Sequence, residues 1–109
     1  LSVLSTRDIH TKGVESVWDQ AKKSIRGPVF LSLGLDVFDP AFAPGVSAPV
    51  PGGLTPLQVS SFLAHILREK EVAGFALMDL NTSNDRDDLT THLAVKLFLD
   101  FMGGVKDTT

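Results

Sequence analysis

The stretch Val29–Leu35, reading VFLSLGL, constrains the fold more than any other part of the chain. It is a nearly continuous apolar run of strand length, the pattern of a parallel strand buried on both faces. Period-two alternation puts Phe30, Ser32, Gly34 and Asp36 on one side of it. Asp36 therefore stands at the carboxyl end of the strand, where open α/β sheets place their ligands. Directly after it, Phe38–Pro51 carries four of the six prolines (Pro40, Pro44, Pro49 and Pro51). A loop this long in a compact domain is usually functional, and its prolines restrict the backbone. Residues 38–55 are thus expected to form an ordered wall of the kind that borders an active site.

The flanking segments supply the cover that a parallel strand needs. Val14, Val17, Trp18, Ala21 and Ile25 recur at helical spacing, so Val14–Ser24 reads as a helix, ended by Arg26-Gly27-Pro28. Before it, Leu1–Ser5 reads as a short buried strand and Arg7–Gly13 as a polar turn. His10 lies in that turn beside Asp8, as a loop histidine or a ligand. Thr55-Pro56-Leu57-Gln58 is a helix start: Thr55 caps, Pro56 suits the first position, and Gln58 completes a capping box. Leu57, Phe62, Leu63, Ile66 and Leu67 give that helix its buried face through about Glu69, and His65 reads as structural or exposed. Val72–Leu80 is a second apolar run ending in an acid, Asp79. Asn81–Asp88 is a polar loop without the glycine and glutamate of a calcium loop, and Asp87 or Asp88 suits the start of the next helix. Leu89–Met102 is that helix, with Leu89, Leu93, Leu97, Phe98 and Phe101 inward, stopped by Gly103-Gly104 and followed by a frayed Val105–Thr109.

The order is β-α-β-loop-α-β-α, an α/β arrangement read as part of a doubly wound parallel sheet. Three strands leave raw edges and call for cover on both faces, so residues 1–109 read as one partial domain. Protein partner chains, or further copies of this chain, are expected to complete the sheet. Expressed alone, the chain should fold poorly or self-associate. It begins at Leu1 rather than Met, as a fragment, a processed product or a chain lacking its first part would.

Composition removes several classes of function. Net charge is −3, which indicates no nucleic-acid surface. The absence of cysteine excludes disulfides and thiolate chemistry. No apolar run approaches the ~20 residues of a membrane span, and no signal pattern is visible, so a soluble chain is expected. The acids at the strand ends, Asp36 and Asp79, remain the chemical candidates, as ligands or as turn and cap residues.

The segment also resembles the ureohydrolase family of arginases, agmatinases and formimidoylglutamases. That family carries S-x-D-x-D-x-x-D-P, then a loop of A-P-G…P…G-G-L-[TS] type, then a helix. Ser32, Asp36, Asp39 and Pro40 match, as do Ala43-Pro44-Gly45, Pro49 and Gly52-Gly53-Leu54-Thr55. Ser5-Thr6-Arg7-Asp8-Ile9 is similar to the family's strand and turn ahead of the motif. The resemblance implies the C-terminal third of an arginase-like fold with an eight-stranded parallel sheet. It also implies hydrolysis of a guanidino or formimino C–N bond by hydroxide held between two Mn2+ ions, with arginine, agmatine and formimidoylglutamate as the family's substrates. Two divalent ions about 3.5–4 Å apart need several carboxylates to hold them.

Three departures bear on that chemistry. The first acid of D-x-D is replaced by Gly34, which has no donor atom. Asp79 stands where the family has a substrate-binding Glu, and Thr82 stands in place of the following Pro. The family's other metal motifs, G-G-D-H and D-A-H-x-D, do not occur in these residues. The resemblance thus implies Asp36 and Asp39 as vestigial metal residues and Asp79 as the remnant of a substrate-binding acid. Asp39 has a plainer role as well, bracing the loop that starts at Pro40. The favoured expectation is a degenerate, non-catalytic chain serving as a structural or accessory subunit, without a cofactor. The alternative is the C-terminal portion of a manganese-dependent ureohydrolase whose other ligands lie on a missing segment or a partner chain.

Overall fold

The computed structural model describes residues 5–108, with side chains to Gly104. The first element is a helix, α1 (Thr6–Lys12), where the sequence suggested a polar turn. Its start is a reciprocal capping box: Ser5 Oγ accepts from Asp8 N–H, and the Asp8 carboxylate accepts from Ser5 N–H at 2.9 Å. That local bonding overrides the polar composition. The expected strand Leu1–Ser5 lies outside the described residues except for Ser5, which is the cap. Gly13 separates α1 from α2 (Val14–Ala21), whose last turn tightens into a 3-10 turn, Lys22–Ser24.

The strand β1 (Val29–Gly34) follows and is one residue shorter than expected, because Leu35–Val37 coils into a 3-10 turn. After the Pro/Gly loop come α3 (Pro56–Glu69), β2 (Val72–Met78) and α4 (Leu89–Thr108). The α3 capping box between Thr55 and Gln58 forms as the sequence indicates. Gly103-Gly104 does not stop α4. The bare Cα of Gly104 packs on Leu67 of α3, and a Cβ there would come within 2.4 Å of Leu67 Cδ1. Gly104 serves close helix packing rather than a helix end.

β1 and β2 pair in parallel, with Leu31 opposite Phe75, Leu33 opposite Leu77 and Gly34 opposite Met78. They are the only strands among the described residues. All four helices lie against one face of this sheet. Phe75 stacks on Phe101 at 4.5 Å and meets Phe98 edge-on at 5.5 Å, which seats α4. Leu31 and Leu33 line a 210 Å³ apolar cavity with Ile9 of α1 and with Val59, Phe62 and Ile66 of α3. Helix α2 reaches the same layer through Trp18, whose ring meets Phe62 edge-on at 5.7 Å. Trp18 is buried, and its indole N–H donates to Glu69, so the burial leaves no orphan donor.

The opposite face carries Phe30, Ser32 and Gly34 from β1 and Gly74, Ala76 and Met78 from β2, and no described element covers it. Phe30 is 68% exposed and its ring lies against Gly74; Met78 is 47% exposed. A parallel sheet with one bare face and two free edges is half of a layered structure. Some helix positions read as core are likewise open: Leu57 is 77% exposed, and Leu89 and Phe98 are also exposed. The core itself gathers Leu35, Phe38, Ala43, Val46, Leu54, Val59, Leu93 and Leu97, so the Pro/Gly loop is built into it.

Candidate functional site

The carboxyl ends of β1 and β2 are adjacent because the register pairs Gly34 with Met78. The residues that follow each strand turn out of the sheet in different ways. After β1 the 3-10 turn buries Leu35 and leaves Asp36 exposed, with Phe38 buried next. Asp36 is thus held between two buried anchors. After β2 the chain reverses at Asp79, whose φ of +71° lies in the left-handed region that an aspartate tolerates.

Both carboxylates come back over Gly34. An ideal Cβ on Gly34 would stand 2.6 Å from Asp36 Oδ1 and 3.1 Å from Asp79 Oδ2. The structure therefore brings Asp36 and Asp79 together and leaves Gly34 as the bare floor between them. A side chain at position 34 would displace at least one of the two acids. Among the described residues no group of three or more His, Cys, Asp or Glu side chains could hold a metal ion. Two carboxylates over a glycine are too few donors for the two-metal centre that the resemblance implies. The residues present do not fit that group.

Asp39 sits apart from this pair. Its carboxylate accepts from Ala41 N–H at 3.0 Å and Gly52 N–H at 2.9 Å, and these bonds to Ala41 and Gly52 hold it below the ordinary carboxylate range. Its backbone N–H donates to Leu54 O, while Leu54 N–H donates to Val37 O, both at 2.9 Å. The two ends of the loop therefore cross in a narrow neck. Gly53 occupies the crossing, where a Cβ would lie 2.4 Å from Asp39 N. Asp39 braces the loop.

The body of the loop is tied by Thr90, Asn84 and Asp85, none of which the sequence pattern links to it; Asp85 reads there as part of a solvated turn. Thr90 is fully buried at the start of α4, and its hydroxyl accepts from Gly45 N–H at 2.8 Å. Asp85 accepts from Thr90 N–H at 2.9 Å, from Thr91 N–H at 3.1 Å and from the Thr91 hydroxyl at 3.0 Å. Gly45 fits against this pair only because it has no side chain: a Cβ would come within 2.9 Å of both Asp85 and Thr90. Asn84 adds a bond from its amide to Val46 O at 2.8 Å. The cap of α4 is thus served by Asp85. Asp87 and Asp88, the expected cap residues, adopt left-handed φ of +52° and +57° in the turn that leads into α4. The available signal was the Thr90-Thr91 pair opening an otherwise apolar helix, because hydroxyls there need partners.

Burial pushes the Asp85 carboxyl up, but bonds from Thr90, Thr91 and Arg86 outweigh it and hold the group far below its ordinary 3.8. A depressed folded-state value means full stabilisation above the unfolded value and loss as pH falls through the folded one. The tie between loop and α4 is therefore expected to persist at about pH 5 and to loosen only in strong acid. Asp85→Asn should lower stability at neutral pH and flatten the acid limb of a pH–stability curve. An unchanged acid limb would assign that limb to other carboxylates.

The remaining titratable candidates serve the scaffold. His65 Nδ1 lies 3.0 Å from Arg68 on α3. His10 reaches Gly53 O from α1 at 3.1 Å, far from Asp36 in the chain but at the loop neck. No helix among the described residues is long and apolar enough to cross a membrane.

Residues 1–103 match the Arginase family model. The agmatinase of Chromobacterium violaceum is 31% identical over 103 residues, covering 94% of this chain and 32% of that protein. Proclavaminate amidino hydrolase from Streptomyces clavuligerus superposes with a TM-score of 0.92 at 27% identity, over 100% of this chain and 37% of its own. The arginase of Bacillus subtilis superposes at 0.85 and 26%, over 94% and 38%. The chain spans about a third of the length of the curated relatives it matches. With the family model matched over residues 1–103 and the parallel strands and their helices superposing on these proteins, the chain belongs to the arginase family.

Proposed function

We propose that this chain is an arginase-type module that does not hydrolyse guanidino compounds itself and serves as a structural or accessory subunit of a larger assembly. The observation that carries this reading is the closure of Asp36 and Asp79 over Gly34. Glycine offers no ligand, and the two remaining acids have closed over the position where the third donor would start. A two-metal hydrolase needs bridging carboxylates at that place. Asp36 and Asp79 are then remnants of a metal-binding and a substrate-binding acid, and Asp39 has kept only its loop-bracing bonds.

The partner of this reading is the remainder of an arginase-type fold. The relatives are about three times as long as this chain. The bare face is floored by Gly34, Gly74, Ala76 and Ser32, small residues that admit a closely packed helix. A photo-crosslinking residue at position 30, in the natively purified protein, reads the occupant directly. A crosslink to an arginase-type segment other than residues 1–109 supports the proposal. A crosslink to another copy of residues 29–78, or none at all, overturns it.

A second reading has its own support: the two acids still converge at the strand ends, where a partner segment could add ligands. It makes the chain the C-terminal portion of a manganese-dependent C–N hydrolase. Elemental analysis of the native assembly separates the two. We expect no stoichiometric manganese and no turnover of arginine, agmatine or formimidoylglutamate. Two manganese ions per assembly with turnover of one of them would establish the second reading.

A further inference from the structure

Three hydrogen-bonding groups meet at the neck of the Pro/Gly loop, and their protons are not interchangeable. In the α3 capping box, Gln58 Oε1 accepts from Thr55 N–H at 3.0 Å, and Thr55 Oγ1 accepts from Gln58 N–H at 3.2 Å. With Oε1 engaged, the amide nitrogen of Gln58 points at His10 Nδ1, 3.5 Å away. An amide nitrogen only donates, so Nδ1 must be the acceptor. On the other side of the ring, Gly53 O only accepts, so Nε2 must carry the hydrogen. The capping box thus selects one tautomer of neutral His10, and that tautomer ties α1 to the loop neck and to the start of α3.

We propose that His10 is a proton-operated tie: neutral, it fastens α1 to Gly53 and Gln58; protonated, it lets one of them go. The imidazolium carries hydrogens on both nitrogens and turns Nδ1 into a donor facing a donor. Relief comes from rotating the Gln58 amide, which breaks the capping box, from swinging the ring away, which frees Gly53 O, or from parting the exposed 3.5 Å contact so that the Nδ1 hydrogen meets solvent, which frees Gln58. In each case acid removes a bond between α1 and the start of α3 or the loop neck. The charged neighbours do not offer the new hydrogen a partner. Asp8 is committed to Ser5 N–H, and Asp39 to Ala41 and Gly52. Arg7 and Lys12 on α1 are cationic, Glu15 and Asp19 belong to α2, with Asp19 paired to Lys22, and α3 carries no ionisable group before His65.

The test is nitrogen-15 NMR of the natively purified protein across the histidine range, with His65 and His92 as internal controls. Above its titration His10 should show the tautomer with hydrogen on Nε2. On acidification the amides of Gly53–Gln58 should shift with the midpoint of the His10 ring, and His10→Gln should abolish that shared response. A neck that stays silent through the His10 titration overturns the proposal, as does a response that persists in His10→Gln. If that variant does not fold, tautomer and midpoint in the wild type still decide. The outcome is independent of metal content and therefore of the reading above.

Discussion

Phe38→Ala is expected to destabilise the protein by about 3–5 kcal/mol, the range for deleting a fully buried aromatic ring. Phe38 is buried at the point where the first strand's extension becomes the loop, and it packs in one cluster with Leu54 of the loop's other end and with Leu93 and Leu97 of α4. It also pairs with Leu54 along the backbone. The ring therefore joins neck, sheet end and last helix, and small relaxations cannot fill its place. A domain of this size has roughly 5–15 kcal/mol in total, so the loss is a large share of it. Phe42→Ala, four residues on and 36% exposed, should cost clearly less. Urea unfolding of the natively purified protein reads both. A Phe38→Ala midpoint as close to wild type as that of Phe42→Ala would remove Phe38 from the core and, with it, the basis for calling the loop an ordered wall. The consequence reaches the acids too, because Asp36 is positioned by the buried residues on either side of it, Leu35 and Phe38.

The parts of the fold that rest on local chemistry are plain in the chain. Thr55-Pro56-Leu57-Gln58 sets the start of α3, and the two apolar runs set β1 and β2 to within two residues at their ends. The same local rule was available at Ser5-Thr6-Arg7-Asp8, where a capping box starts α1, but the apolar periodicity that normally accompanies a helix is too weak there to disclose it. Exposure is harder to read, because a periodic stripe gives a helix face and not its neighbour. Leu57 and Leu89 belong to stripes, yet they are exposed, where these residues supply no further layer. Gly103-Gly104 reads as a stop, but the helix runs on through the pair, with Gly104 close against Leu67. The convergence of Asp36 and Asp79 follows from two adjacent parallel strands each ending in an acid. The ties through Asp85 and Thr90 depend on where the loop crosses α4, which no local pattern encodes.

Gly34→Asp is the variant that would rebuild the missing acid of the strand motif, and we expect it to destabilise the protein instead of restoring a metal centre. Its Cβ alone would press on Asp36 Oδ1 at 2.6 Å and on Asp79 Oδ2 at 3.1 Å. Both oxygens end exposed side chains that can rotate aside, so this steric part should stay near the low end of overpacking costs, about 1 kcal/mol. A third carboxylate adds like-charge repulsion, which raises the affinity of the cluster for protons. The repulsive part of the loss is therefore present at neutral pH and is relieved as the pH falls through the range where the cluster takes up a proton. Gly34→Asn carries nearly the same bulk without the charge and should lose only the steric part, at every pH. Melting temperature against pH for the two variants separates these contributions, at roughly 4–8 °C per kcal/mol for a domain of this size. Manganese is the deciding addition. If it fails to stabilise Gly34→Asp over Gly34→Asn, the donor set is short by more than one residue and the chain has been committed to scaffold duty through its other positions. A saturable rise in melting temperature of Gly34→Asp alone would show that one substitution suffices to regain a cation site, and the scaffold reading would give way to that of a hydrolase portion held one residue from its metal.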